Sequence, residues 1–199
     1  GGGNKANSTS EQTEETAVNV PQFDADSAYL YVKNQVDFGP RVPNTKEHVA
    51  CGNYLAGQLE AFGAQVTNQY ADLIAYDGTL LKARNIIGSY KPESKKRIAL
   101  FAHWDTRPWA DNDPDEKNHN TPILGANDGA SGVGALLEIA RLVNQQQPEL
   151  GIDIILLDAE DYGAPQFYTG QHKEEFWCLG SQYWARNPHV QGYNCLLYT

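Results

Sequence analysis

The chain has 199 residues, 41% of them hydrophobic and 20% charged, a balance that supports a sizeable core and excludes wholesale disorder. Fifteen Lys and Arg against 25 Asp and Glu leave a formal net charge of −10, which argues against a nucleic-acid or anionic-membrane partner, since either needs a basic patch. No apolar run approaches the ~20 residues that span a bilayer, and Cys51, Cys178 and Cys195 are too few and too scattered for a structural zinc cluster or a disulfide framework.

Residues 1–17, GGGNKANSTSEQTEETA, hold no aromatic or branched aliphatic side chain and read as a disordered tether. They lack the apolar core of a signal peptide. Such a stretch is similar to the one that follows a removed signal in mature bacterial lipoproteins, although no anchoring cysteine is present. That likeness suggests an exported protein, periplasmic or membrane-anchored, with a lipid anchor ahead of residue 1; a cytoplasmic protein with a non-native leader is the alternative.

From residue 18 onward helical and extended patterns alternate with no visible linker, which predicts one α/β domain. Residues 26–38 place Tyr29, Val32 and Val36 on one helical face, and residues 45–62 do the same with Cys51, Leu55, Leu59 and Phe62 before Gly63. Cys51 sits on that apolar stripe and reads as core rather than nucleophile. Residues 64–76 and 83–90 alternate like half-buried strands around the turn signal Asp77-Gly78. Residues 97–102 (RIALFA) form a short buried strand, 131–144 a helix with Val133, Leu136, Leu137, Ala140 and Val143 in a stripe, and 152–157 (IDIILL) a second buried strand. Strand, crossover helix and strand make a right-handed βαβ unit with parallel strands. The last six residues, NCLLYT, look like another buried strand in which the chain stops, so the fold is expected to need sequence beyond it.

In an open parallel sheet the ligand site lies beyond the carboxyl ends of the strands. That places His103 and Asp105 after the first βαβ strand, Asp128 before the crossover helix, and Glu160 and Asp161 after the second strand. These are nitrogen and oxygen donors without a nearby cysteine pair, the donor chemistry of a catalytic rather than a structural zinc site. Each has a plainer explanation: a histidine–carboxylate hydrogen bond, a helix cap at Asp128, a solvated acidic rim at 158–161. Their convergence on one sheet edge favours the site. Adjacent Glu160 and Asp161, if extended, point in opposite directions, so one can hold a metal while the other serves as acid/base. Competing motifs fail: residues 129–133 miss the serine elbow at Val133, no Gly-Lys pair exists for a phosphate-binding loop, GASGVG lacks dinucleotide-fingerprint spacing, and HKEEF at 172–176 is not a zincin motif.

In order, FGPRVP (38–43), ARNIIGSY (83–90), LFAHWD (100–105), GANDGASGVGALLEIAR (125–141), IILLDAED (154–161) and LGSQYWA (179–185) resemble the glutaminyl cyclases, the glutaminyl-peptide cyclotransferases of the zinc aminopeptidase superfamily. The resemblance runs from residue 25 to 199. It implies a three-layer α/β sandwich with a mixed, largely parallel sheet flanked by helices, of which residues 18–199 are the N-terminal portion. It also implies zinc ligation by Asp128 and Asp161, where the family more often has Glu, and Glu160 as general acid/base. His103 matches the ligand of a second metal in two-metal aminopeptidases, kept but not ligating in one-zinc cyclases, and Asp105 matches the acid supporting it. The further aspartate and last histidine of the superfamily lie beyond these 199 residues. By itself the chain is therefore expected to bind zinc weakly or not at all and to be inactive.

Three functions follow from the resemblance. The first is zinc-dependent cyclisation of N-terminal glutamine on peptides or proteins, with one zinc. The second is a metallo-aminopeptidase with two, and the third a binding domain that has lost the chemistry. Trp104, Trp109, Trp177 and Trp184 all lie near the motifs; Trp104 and Trp177 are the candidates to wall a substrate pocket, whereas Trp184 is equally well placed for the core. The acidic loop 111–116 reads as solvated.

Overall fold

The computed structural model describes residues 19–193 and the backbone of residues 195–198. The expected tether at 1–17 lies outside the described residues, as do Asn194 and Thr199. Among the described residues four α-helices, α1 (Ala25–Asp37), α2 (Lys46–Ala61), α3 (Ser131–Gln145) and α4 (Leu179–Arg186), combine with five strands, β1 (Gln65–Ile74), β2 (Leu80–Tyr90), β3 (Arg97–His103), β4 (Gly151–Leu157) and β5 (Cys195–Tyr198).

The strands form a single sheet in the order β1-β2-β4-β3-β5. β1 with β2 and β2 with β4 are antiparallel, whereas β3 is parallel to both β4 and β5. The βαβ unit is thus β3-α3-β4, as the periodicity predicts, with His103 opposite Leu157 at its carboxyl end.

Side-chain alternation along the buried strands feeds two layers. Ile152, Ile154 and Leu156 of β4 and Ala102 of β3 face α1, α2 and α3, where Leu55, Leu59, Leu136 and Leu137 complete the larger core. Ile155 and Leu157, with Ala99 and Phe101, face the other way, towards Trp184 of α4 and Tyr193. Helices on both faces of a mixed sheet give the expected three-layer sandwich.

Local signals set the helix ends. Asp24 caps α1 through the backbone N–H groups of Asp26 and Ser27, and Thr45 caps α2 at His48. α1 packs on α3 where Gly134 leaves room: a Cβ there would stand 2.7 Å from Val32 Cγ2 and 2.9 Å from the Ala28 carbonyl. One face differs from expectation. Tyr29 is 71% exposed, and the buried stripe of α1 is Tyr31 and Gln35, because the amide of Gln35 reaches the carbonyls of Tyr31 and Ala130 under the crossover helix.

Candidate active site

β3 and β4 end side by side, and the chain beyond them delivers every expected site residue except Trp104 to one rim. Asp128 arrives from the segment Ala126–Ala130, a wide turn ahead of α3. Gly129 has φ +95°, and a Cβ on it would lie 3.0 Å from the Asp105 carbonyl and 3.2 Å from His103 Cε1, so glycine there lets the turn close over His103.

His103 is held from both sides: Nε2 lies 3.1 Å from Asp128 Oδ1, and Nδ1 lies 3.1 Å from the Asp105 carbonyl. Burial opposes its charge, but hydrogen bonds with Asp105 and Asp128 push its pKa up to about 11, the imidazolium form. The same contact holds the Asp128 carboxyl below its usual range. Asp105 is fully buried; its Oδ2 accepts the Asp161 N–H at 3.1 Å, and its Oδ1 has no hydrogen-bond partner among the described residues. Asp105 thus supports His103 through both its carbonyl and its carboxylate, whose Oδ1 lies 3.4 Å from Nδ1, while Oδ2 positions Asp161.

β4 stops at Leu157, so Glu160 and Asp161 sit in a bend rather than an extended strand. Their carboxyls still diverge. Asp161 turns to the cavity that Asp128 also lines. Burial and the charges of Asp105 and Asp128 push the Asp161 carboxyl up to about 7. Glu160, only 5% exposed, turns instead to the start of α4, where its carboxyl accepts from the Ser181 N–H at 3.2 Å and from the Ser181 hydroxyl. Burial pushes Glu160 up to about 7 against the lowering by Ser181, with the charge of Asp105 adding to the rise. The site therefore pairs a rim of mutually repelling carboxylates with one enclosed carboxyl poised near neutrality.

A cavity of about 450 Å³ opens in front of Asp128 and Asp161, lined also by Arg107, His172 and Trp177. Trp177 lines this cavity. Trp104 does not: its indole is fully buried, stacks on His48 at 4.2 Å and donates to the Arg84 carbonyl. A side chain after His103 on an alternating chain points into the layer beneath the rim, so Trp104 became core.

Two residues escaped the sequence reading. Ser181 lies 21 positions from Glu160, across an irregular loop, and LGSQYWA carried no chemistry of its own. Arg107 spends all its donors: on Asp111 at 2.7 Å twice, and on the carbonyls of Asp161, Gly163 and Ala164. Its guanidinium also lies 4.8 Å from the Trp177 ring centroid and 5.4 Å from that of Trp109. Asp111 is therefore a buried partner, unlike the exposed residues 114–118 that follow it in the acidic loop.

Residues 85–198 match the model of peptidase family M28. The chain belongs to peptidase family M28. It is similar to the crystal structure of a glutaminyl cyclase from Bacteroides thetaiotaomicron bound to N-acetylhistamine, with 91% identity, a TM-score of 0.88, and coverage of 90% of this chain and 62% of that one. A leucine aminopeptidase precursor from Bacteroides thetaiotaomicron VPI-5482 gives the same identity and TM-score, covering 90% of this chain and 63% of the other. A Zn-dependent exopeptidase from Parabacteroides distasonis is 60% identical with a TM-score of 0.89, over 90% and 62%. The M28 chain thus spans a little under two thirds of these solved structures.

Among the described residues no group of three or more His, Cys, Asp and Glu is disposed to hold a metal ion. The donor set nonetheless fits a divalent cation in part. Asp128 and Asp161 bring carboxylates together at the mouth of the cavity, where Asp161 resists ionisation beside Asp105 and Asp128 and a cation would relieve the repulsion.

Proposed function

We propose that the full-length protein cyclises N-terminal glutamine of peptides to pyroglutamate with release of ammonia, with Asp128 and Asp161 as zinc ligands from this chain. The observation that carries the reading is the division of labour at the rim. Glu160 is enclosed and poised near neutrality, while its neighbour Asp161 faces Asp128 across the cavity mouth. The likeness to a solved glutaminyl cyclase over 90% of this chain supports the choice of reaction.

Zinc, when bound, would supply Lewis-acid polarisation of the substrate's γ-carboxamide carbonyl. The remaining work falls to the protein. The cavity wall at Trp177, fixed by Arg107, holds the glutamine side chain against the rim. Glu160 as carboxylate accepts a proton from the α-amine as its nitrogen attacks the carboxamide carbon. Glu160 as acid then returns that proton to the departing amide nitrogen. One C–N bond forms, one breaks, and the proton moves from amine to ammonia through a single carboxyl. A pKa near the working pH lets Glu160 serve in both directions. Ser181 fixes its rotamer.

The aminopeptidase reading differs in using a bound water and a second ion at His103. Both ring nitrogens of His103 already meet protein oxygens, Nδ1 the Asp105 carbonyl and Nε2 Asp128 Oδ1. These contacts support the one-zinc reading. Export and lipid anchoring of the protein remain part of the proposal, testable by fractionating cells that express it.

The deciding experiment incubates the zinc-loaded full-length protein with a glutamine-leading peptide. Ammonia release without shortening is expected; a freed amino acid would establish the peptidase instead. Glu160→Gln is expected to lower turnover by about 10²–10⁴-fold while leaving zinc content unchanged. Undiminished turnover would remove Glu160 from the mechanism.

A further inference from the structure

We propose that His48, on helix α2 and outside the catalytic rim, is a positioning residue that acts through Asp158 to fix the turn carrying Glu160. The inference rests on the reading of Glu160 as acid/base.

His48 and Asp158 are 110 positions apart and meet in the core, with the ring 3% exposed and the carboxylate fully buried. Nε2 of His48 lies 3.0 Å from Oδ1 and 2.8 Å from Oδ2, so one N–H straddles both oxygens. The Trp104 ring stacks on the imidazole at 4.2 Å and 19°, and its Nε1 donates to the Arg84 carbonyl of β2. The plane and direction of the histidine are thereby set by the sheet itself.

Asp158 is the hub. Oδ2 accepts the Arg84 N–H at 2.7 Å, and Oδ1 accepts the Ala159 N–H at 2.7 Å. The Asp158 N–H donates in turn to Asn85, whose amide also donates to the Gly180 carbonyl at the start of α4. Ala159 has φ +51°, a left-handed conformation that strains an alanine and persists only where its surroundings impose it. The next residue is Glu160.

The same hub therefore fixes both walls of the acid/base pocket: the turn that aims Glu160, and the α4 terminus that offers Ser181 to its carboxyl. A buried polar pair is a poor source of stability compared with apolar side chains of equal volume. Its directionality is what an apolar pair could not supply. Misplacing a reacting group by about 1 Å can cost about 10²-fold in rate.

The test uses the full-length, zinc-loaded protein and a glutamine-leading peptide, with turnover read both as ammonia and as freed amino acid. His48→Leu keeps the bulk and removes the donor. It is expected to lower kcat per folded molecule by about 10–100-fold, with KM within about twofold and zinc content unchanged. His48→Gln, whose Nε2 can reach Asp158, is expected to restore most of kcat. In a Glu160→Gln background His48→Leu should add less than about twofold, because its effect runs through the missing carboxyl. Should His48→Leu fail to fold, His48→Gln against the shorter His48→Asn carries the same contrast. Full kcat in His48→Leu overturns the proposal, as does a loss that multiplies fully with Glu160→Gln or that His48→Gln does not relieve. If Glu160→Gln itself keeps full turnover, the acid/base reading falls and the positioning role with it. A dead Glu160→Gln beside an unaffected His48→Leu removes the positioning role alone.

Discussion

Strand β4 carries an aspartate near its start, Asp153, and delivers another just past its end, Asp161, and the two have opposite fates. Asp153 is fully buried and saturated: Arg97 donates twice, at 2.9 and 2.6 Å, Tyr193 donates its hydroxyl at 2.7 Å, and His189 Nε2 lies 3.2 Å away. Burial alone would raise its pKa, but hydrogen bonds from His189, Arg97, Tyr193 and Ser89 hold it well below the usual carboxylate range. Asp161 is less buried, yet its carboxyl is pushed up to about 7 by burial and by Asp105 and Asp128. A carboxylate whose acceptors are filled by protein donors belongs to the scaffold; Asp161, beside two carboxylates and with Arg107 Nη1 no nearer than 3.8 Å, has its charge only partly compensated by the protein. Along a single strand the difference separates the end that holds the sheet from the end proposed to do chemistry.

Asp161→Asn probes the reactive end and should have the largest effect. Zinc affinity of the full-length protein is expected to fall by more than about 100-fold, and turnover with it. The metal-free protein should melt at the same temperature or higher, because a repelled carboxyl has gone. Zinc content after dialysis and a melting curve on one preparation measure both. Retention of zinc at wild-type affinity would show that the rim carboxylates are not ligands and would erase the contrast.

Asp153→Asn probes the other end. It removes the buried carboxylate that Arg97 meets at 2.6 Å, and breaking such a pair costs about 3–5 kcal/mol. Urea unfolding should show that loss, while zinc content and kcat per folded molecule stay at their wild-type values. A variant that unfolds no more easily but loses zinc would mean that the two ends are coupled through β4.

This contrast was partly legible before any coordinates. The apolar run IDIILL fixed β4 as buried on both faces, and the position of Asp128, Glu160 and Asp161 past strand ends marked the rim. Asp153, inside that run, could not be read as paired, because Arg97 is its partner only through the parallel register that sets Arg97 beside Gly151. Asp111 looks like part of a solvated loop for the same reason: Arg107 lies four positions away, but outside a helix that spacing predicts no contact. Trp104 sits one residue from His103, and sequence adjacency made it a pocket candidate when the alternation of the chain sent it to the core. What escaped was in each case a partner supplied by tertiary geometry, across a strand pair, a loop or a layer.

The pH dependence of stability gives a smaller but more discriminating test, because the two carboxyls contribute with opposite sign. The folded pKa of Asp153 lies below its unfolded value of ~3.9, so its contribution is complete above that value and is lost as pH falls below it. Asp161 is the reverse. Its unfolded carboxyl gives up its proton near ~3.9, whereas the folded one keeps it until about 7. Between those values the folded state binds more protons, so the contribution of Asp161 is complete below ~3.9 and declines as pH rises to about 7. Glu160 declines over a similar window, from ~4.3 to about 7. In the metal-free full-length protein Asp153→Asn should therefore weaken the acid limb of a melting-temperature profile, and Asp161→Asn should flatten the descent towards neutrality. Zinc should flatten that same descent in the wild type, because a cation on Asp161 takes the place of its proton. If Asp161→Asn leaves the slope between pH ~4 and ~7 untouched, the rim carboxylates do not repel one another, and the electrostatic reason for a metal at this end of β4 disappears.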